Sequence, residues 1–185
     1  MMRELSDNIM DIAQNSIVAG ARLLEIDVLI SHARNVIELV FTDDGRGMSP
    51  EMTATVAEPF TTTRKTRKVG LGLPFLKMTA LMTGGDFSIE SELGKGTKVS
   101  VSFGLDHIDR PPLGDLPGAL FSLVAMNPQM DFLFVCEYDG ARFEFDTRVI
   151  RETIAPLPID NMEILSWIKE CMYTEINELH GGRFQ

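Results

Sequence analysis

Apolar residues recur at two periods along this chain, and the switches between them mark its elements. Over residues 2–20, Leu5, Ile9, Ile12, Ala13 and Ser16 fall three and four apart, which predicts a helix with one buried stripe. Asn8, Asp11 and Asn15 repeat at the same spacing on another face, and Gly20 supplies a left-handed stop. The period then drops to two. Leu24, Ile26, Val28 and Ile30 alternate with Glu25, Asp27 and Leu29, the pattern of a strand with one buried face. After a turn over Ser31 to Asn35, a second alternating run, Ile37 to Thr42, ends at Asp43-Asp44-Gly45-Arg46-Gly47-Met48.

Ser49-Pro50, a serine cap with proline behind it, predicts a short helix. From Glu58 to Leu73 the chain is polar, basic and glycine-containing with no period, so it reads as a long functional loop. Pro74 opens a helix through Phe75, Leu76, Met78, Thr79 and Met82 to Gly84-Gly85. Strands over Phe87 to Glu92 and Lys98 to Phe103 flank the turn Gly94-Lys95-Gly96-Thr97. Prolines and glycines between Asp109 and Gly118 mark a boundary. Beyond it, Asp131 to Tyr138 and Ala141 to Asp146 form a hairpin about Asp139-Gly140. A closing helix, from about Asn161 to Leu179, turns Ile164, Leu165, Ile168, Cys171, Met172 and Ile176 inward.

Composition narrows the class. A chain of 185 residues, 44% hydrophobic and 24% charged, is globular and large enough for one core with an appendage. A net charge of -10 argues against general affinity for nucleic acid, and it makes any basic cluster stand out. Cys136 and Cys171 have neither CxxC spacing nor histidine companions, so both are expected as buried, reduced thiols. The first residues show no apolar signal region, and the longest apolar stretch, Ala119 to Met126, is far too short for a membrane span. A soluble cytoplasmic protein, without membrane or nucleic-acid partners, is expected.

Three clusters carry candidate chemistry. At Asp43 a carboxylate ends a strand, and Gly45 and Gly47 let the backbone pass close to a ligand. A carboxylate repels phosphate, so this turn suits a ligand that presents a donor, such as the amino group of adenine. Taken alone, an Asp-Gly turn between two elements is more often only a connector. Asp11 and Asn15 lie one helical turn apart. The amide oxygen of Asn15 is a neutral hard ligand suited to magnesium that keeps its waters, and Asp11 is placed to orient or deprotonate a nucleophile. The plain alternative is a solvated helix face. Finally, Arg64, Lys65, Arg67 and Lys68 precede Gly70, Leu71, Gly72 and Leu73 at the approach to a helix N-terminus, where free amides and the dipole favour anions. There is no GxxxxGK[ST] motif, and Gly45-Arg46-Gly47 lacks the third glycine of a dinucleotide fingerprint. His32, His107 and His180 lie far apart and receive no catalytic role.

The order of these pieces resembles the Bergerat-type ATPases, the superfamily of sensor histidine kinases, gyrase, mismatch-repair ATPases and heat-shock chaperone ATPases. Asp11 to Ala21 looks like their N box, closest in wording to the mismatch-repair version. Asp43 to Met48 looks like the DxGxG box. Glu58-Pro59-Phe60-Thr61-Thr62-Thr63 and Val69-Gly70-Leu71-Gly72-Leu73 look like the F box and GLGL box of histidine kinases, and Gly94-Lys95-Gly96-Thr97 like the final G-x-G-T turn. The resemblance covers about residues 1–104. It implies an α+β two-layer sandwich, a mixed, mostly antiparallel sheet with helices on one face. Residues 105–118 are then a linker, and residues 119–185 a small α+β extension of unassigned role.

The resemblance also implies ATP and Mg2+ as ligands. Asn15 is the metal ligand and Asp43 accepts from the adenine amino group. Gly45, Gly47 and Met48 shape the base pocket, and Thr97 holds the base from its far side. Gly70, Leu71, Gly72 and Leu73, with Arg64, Lys65, Arg67 and Lys68 of the lid, hold the phosphates. Asp11 stands where many members have Glu, so the catalytic base is one methylene shorter, a change that touches turnover and not binding. The chain begins at the N-box helix, without an upstream paired-helix segment bearing an acceptor histidine, so the expected reaction is phosphoryl transfer to a separate protein. The alternatives are a regulatory ATP-binding module that controls a protein partner, and an ATPase clamp that works as a homodimer.

Overall fold

The alternating runs become neighbours in a single sheet. The computed structural model describes residues 4–58, 72–179 and 181. Along the chain come α1 (Leu5–Val18), β1 (Leu23–Ser31), β2 (Val36–Asp43), α2 (Pro50–Thr55), α3 (Gly72–Met82), β3 (Phe87–Glu92), β4 (Gly96–Gly104), α4 (Leu116–Met126), β5 (Asp131–Tyr138), β6 (Ala141–Asp146), α5 (Thr147–Ile154) and α6 (Met162–Leu179). The strand order is β3-β4-β2-β1-β5-β6. Every pairing is antiparallel except β1 with β5, which is parallel.

Register explains the core. Ile89, Val99, Phe41, Ile26, Phe134 and Phe145 form one row across all six strands. Phe87, Val101, Leu39, Val28, Cys136 and Phe143 form the next. Both rows lie on the same face, because side chains two apart on a strand share a face. The helices cover that face: α1 packs on α3 and α4, and α4 packs on α6. Phe41, Phe103, Phe132 and Phe134 are among the largest fully buried side chains, each contributing about 1.5–3 kcal/mol through burial. The opposite face carries Glu25, Asp27, Glu38 and Lys98, all partly or wholly exposed. This is the α+β two-layer arrangement that the resemblance implies.

The sheet does not stop at the proline- and glycine-rich boundary. β5 pairs with β1 over eight residues, from Leu23↔Asp131 to Ile30↔Tyr138, so residues 131–146 extend the same sheet. Much of the segment read as boundary and apolar stretch is α4. Asp115 caps it, accepting from Gly118 N at 3.0 Å, and Pro117 sits in its first turn. Leu116, Ala119, Leu120, Leu123 and Val124 are all buried, so α4 shows no polar face by which a period could be recognised. Helix α5 also has no counterpart in the sequence reading. The first helix is shorter than residues 2–20, and Asn8 is buried with its amide donating to Glu4 O at 3.2 Å, so it does not share the exposed face of Asp11 and Asn15. Both cysteines are free; Cys136 is buried and Cys171 half-buried. Among the described residues, no helix is long and apolar enough to cross a membrane.

Candidate functional site

One end of the sheet's inner face breaks the apolar pattern. There the row across β3, β4 and β2 is Ser91, Thr97 and Asp43, and it continues as Leu24 and Phe132 on β1 and β5. Three adjacent strands thus place polar side chains at positions that are hydrophobic two residues earlier or later.

Asp43 is held from two sides. Its Oδ2 accepts from Ser16 Oγ of α1 at 2.7 Å, and its Oδ1 accepts from Gly45 N at 2.9 Å. Each carboxylate oxygen retains a further lone pair for a donor. Asp44 faces elsewhere, its Oδ1 accepting from Arg22 N at 2.7 Å and Leu23 N at 2.9 Å. Arg46 N donates to Ala19 O at 3.1 Å, and Gly94 N donates to Arg46 O at 2.8 Å, so the turn is clamped between the end of α1 and the β3–β4 turn.

That clamping explains two glycines. Gly47 has φ +63°, and a Cβ there would lie 1.9 Å from Glu92 O. Gly96 has φ +112°, and a Cβ there would lie 1.8 Å from Asp43 O. The space beside each is filled by the protein's own backbone, so what these glycines permit is the close approach of the two turns. Ser91 completes the junction: its Oγ accepts from Met48 N at 2.9 Å, donates to Gly96 O at 2.9 Å, and lies 2.9 Å from Thr97 Oγ1.

On α1, Asp11 and Asn15 are exposed one turn apart, with Asn15 next to the Ser16 that holds Asp43. Partial burial, and after it the charge of Asp7, pushes the Asp11 carboxyl above its ordinary pKa. Gly72 and Leu73 form the buried first residues of α3, so that helix starts two residues before Pro74. Arg64, Lys65, Arg67, Lys68, Gly70 and Leu71 lie outside the described residues. Of the histidines, His32 pairs with Asp139 at 2.8 Å, joining the β1–β2 and β5–β6 turns away from this row.

The structure therefore brings Asp43, Gly45, Gly47, Met48 and Thr97 together, with Asn15 and Asp11 on the helix above. Ser16 and Ser91 belong to the same constellation, although by sequence Ser16 has only a place in the buried stripe and Ser91 only a place in a strand. Their signal was a hydroxyl at a core position, Ser16 in the helical stripe and Ser91 in the alternation Phe87, Ile89, Ser91.

Residues 1–107 match the family described as "Histidine kinase-, DNA gyrase B-, and HSP90-like ATPase". The chain is 32% identical over 103 residues to "Histidine protein kinase DivJ" of Caulobacter vibrioides, a match covering 54% of this chain and 17% of that protein. It is 36% identical over 97 residues to "Sporulation kinase D" of Bacillus subtilis, covering 51% and 18% respectively. The matched part is thus less than a fifth of either relative. Among solved structures, the Aquifex aeolicus MutL ATPase domain complexed with ADP shares the fold at a TM-score of 0.54 and 15% identity, over 92% of this chain and 70% of that one. The six-stranded mixed sheet with its helical layer is the Bergerat ATPase fold, and the chain belongs to the histidine kinase-, gyrase B- and HSP90-like ATPase family.

Proposed function

We propose that this protein binds magnesium–ATP at the polar end of its sheet and transfers the γ-phosphoryl group to a separate protein. The observation that carries the reading is the fixed Asp43 carboxylate, held at 2.7 Å by Ser16 and at 2.9 Å by Gly45 N, with Thr97 beside it. A carboxylate held so at a half-buried position recognises a donor such as the adenine amino group. The named kinases among its relatives support transfer as the outcome.

Among the described residues, no group of three or more His, Cys, Asp or Glu is arranged to hold a metal alone. The exposed amide of Asn15 offers a single neutral oxygen. Such a donor set fits magnesium, which keeps several waters and leans on phosphate oxygens. Asn15 would hold the ion, and its charge would neutralise the phosphates when bound. Asp11, one turn away, would take the proton of the acceptor group. Because its carboxyl titrates above the ordinary value, the charged form needed for that task is lost on acidification at a higher pH than for an unperturbed aspartate. Arg64, Lys65, Arg67, Lys68 and the Gly70 to Leu73 box enter as phosphate-holding groups on the strength of the sequence.

ATP labelled at the γ-phosphate, incubated with the protein and a partner recovered by pull-down in magnesium–ATP, tests the reading. Label on the partner supports it, and Asp11→Asn should then lower the rate by about a hundredfold with affinity nearly unchanged. Label released as phosphate would identify an ATPase clamp instead. Bound ATP with neither transfer nor release would identify a regulatory module.

A further inference from the structure

We infer that Ser91 is a positioning residue for base selection: by accepting the hydrogen bond of the Thr97 hydroxyl, it leaves Thr97 able only to accept beside Asp43. The inference rests on the nucleotide-binding reading above and deepens it. A serine hydroxyl has one proton and two lone pairs. Ser91 has three partners, each at 2.9 Å: Met48 N, Gly96 O and Thr97 Oγ1. Met48 N–H can only donate, so it occupies one lone pair. Gly96 O can only accept, so it takes the serine proton. The remaining contact closes only if Thr97 is the donor, directing its proton into the second lone pair of Ser91.

Thr97 then faces its surroundings with lone pairs alone. It is paired with Asp43 across β2 and β4, on the same face of the sheet, and the Asp43 carboxylate is likewise acceptor-only when ionised. The two side chains make a uniform acceptor edge. A base presenting an exocyclic amino group satisfies that edge, whereas one presenting a carbonyl oxygen meets lone pairs with lone pairs. Without Ser91 the Thr97 proton becomes free to turn outward, and the edge rejects an acceptor oxygen less strongly. Ser91 touches no base itself; it acts through Thr97.

Affinities for ATP and 6-methoxypurine riboside triphosphate test this, because the methoxypurine carries an acceptor oxygen where adenine has its amino group and, unlike hypoxanthine, adds no N1–H donor. Wild type should prefer ATP. Ser91→Ala should narrow the ATP-to-methoxypurine ratio by about tenfold, and Ser91→Thr, which keeps the hydroxyl, should restore it. Thr97→Val should narrow the ratio as well, and Ser91→Ala added to it should narrow it no further. Equal weakening of both nucleotides by Ser91→Ala, with the ratio intact, would reduce Ser91 to a structural tie and overturn the inference. Should Ser91→Ala fail to fold, an unchanged ratio in Thr97→Val overturns it instead. Wild type that binds neither nucleotide would overturn the functional reading itself, and this inference with it.

Discussion

A single row of the sheet divides two ways of building. Across β3, β4 and β2 its inner positions are Ser91, Thr97 and Asp43, joined by hydrogen bonds and by glycines that bring two turns into backbone contact. Across β1 and β5 the same row is Leu24 and Phe132, both fully buried. The first region gives up apolar burial at one end so that a carboxylate can stand fixed and addressable. The second supplies the packing that lets it do so: β5 lies along the whole of β1, and α4 closes over α1. The polar end thus lies wholly within residues 1–107, while the core beneath it is shared by both parts of the chain, and the part beyond residue 107 belongs to the same sheet.

Cutting the chain after residue 107 is the strongest way to break this comparison. It would leave β1 as an exposed edge and strip α4 and α6 from the core. The expected outcome is loss of cooperative folding, read by circular dichroism and thermal melting. A fragment that melts like the whole chain would show the C-terminal half to be an accessory after all. Next in size, Phe134→Ala removes a fully buried ring from β5, between β1 and the edge strand β6, and should cost about 3–5 kcal/mol in denaturant unfolding. Its preference for ATP over GTP should survive, since the ring lies one row away from Asp43.

How much of this was legible in the sequence follows from the physics of each element. Strands with one covered face announce themselves by alternation, and the hairpin at Asp139-Gly140, with φ +47° and +88°, follows from its turn residues. The site was legible where polarity coincided with a motif, at Asp43 and Thr97. It was not legible at Ser16 and Ser91, where a small hydroxyl sits within an apolar period and looks like filler. Helix α4 hid for the opposite reason, being apolar on every side that neighbours cover, with Pro117 read as a break when it occupies a first-turn position. The parallel pairing of β1 with β5 joins residues more than a hundred apart in the chain, which no local pattern records.

Two smaller substitutions sharpen the contrast. Gly96→Ala puts a Cβ into the carbonyl of Asp43 at a backbone angle that disfavours side chains, so it should destabilise by more than about 1 kcal/mol. Unlike Phe134→Ala, it should also impair nucleotide binding, because the clash falls on Asp43, the residue proposed to read the base. Asp27, on the sheet's outer face, is expected to give the smallest effect and the opposite sign. Burial, and then the charge of Glu25, raises its pKa, outweighing Arg142 and Lys98. A carboxyl whose folded pKa lies above its unfolded one binds its proton more tightly when folded, so its ionised form opposes folding at neutral pH. Asp27→Asn should therefore stabilise slightly at pH 7. That gain should shrink as pH falls through the raised pKa and vanish below the ordinary carboxylate range. A gain independent of pH would remove the charge from the explanation.

The most direct measurement is a calorimetric titration of ATP and GTP into the wild type and into Asp43→Asn. Leaving a buried charged acceptor against the guanine carbonyl costs about 1–3 kcal/mol, so ATP should bind the wild type at least about tenfold more tightly. Asp43→Asn should weaken ATP severely while the melting curve stays close to wild type. Equal affinity of the wild type for the two nucleotides would contradict the claim that the fixed carboxylate at the polar end of the sheet reads the base.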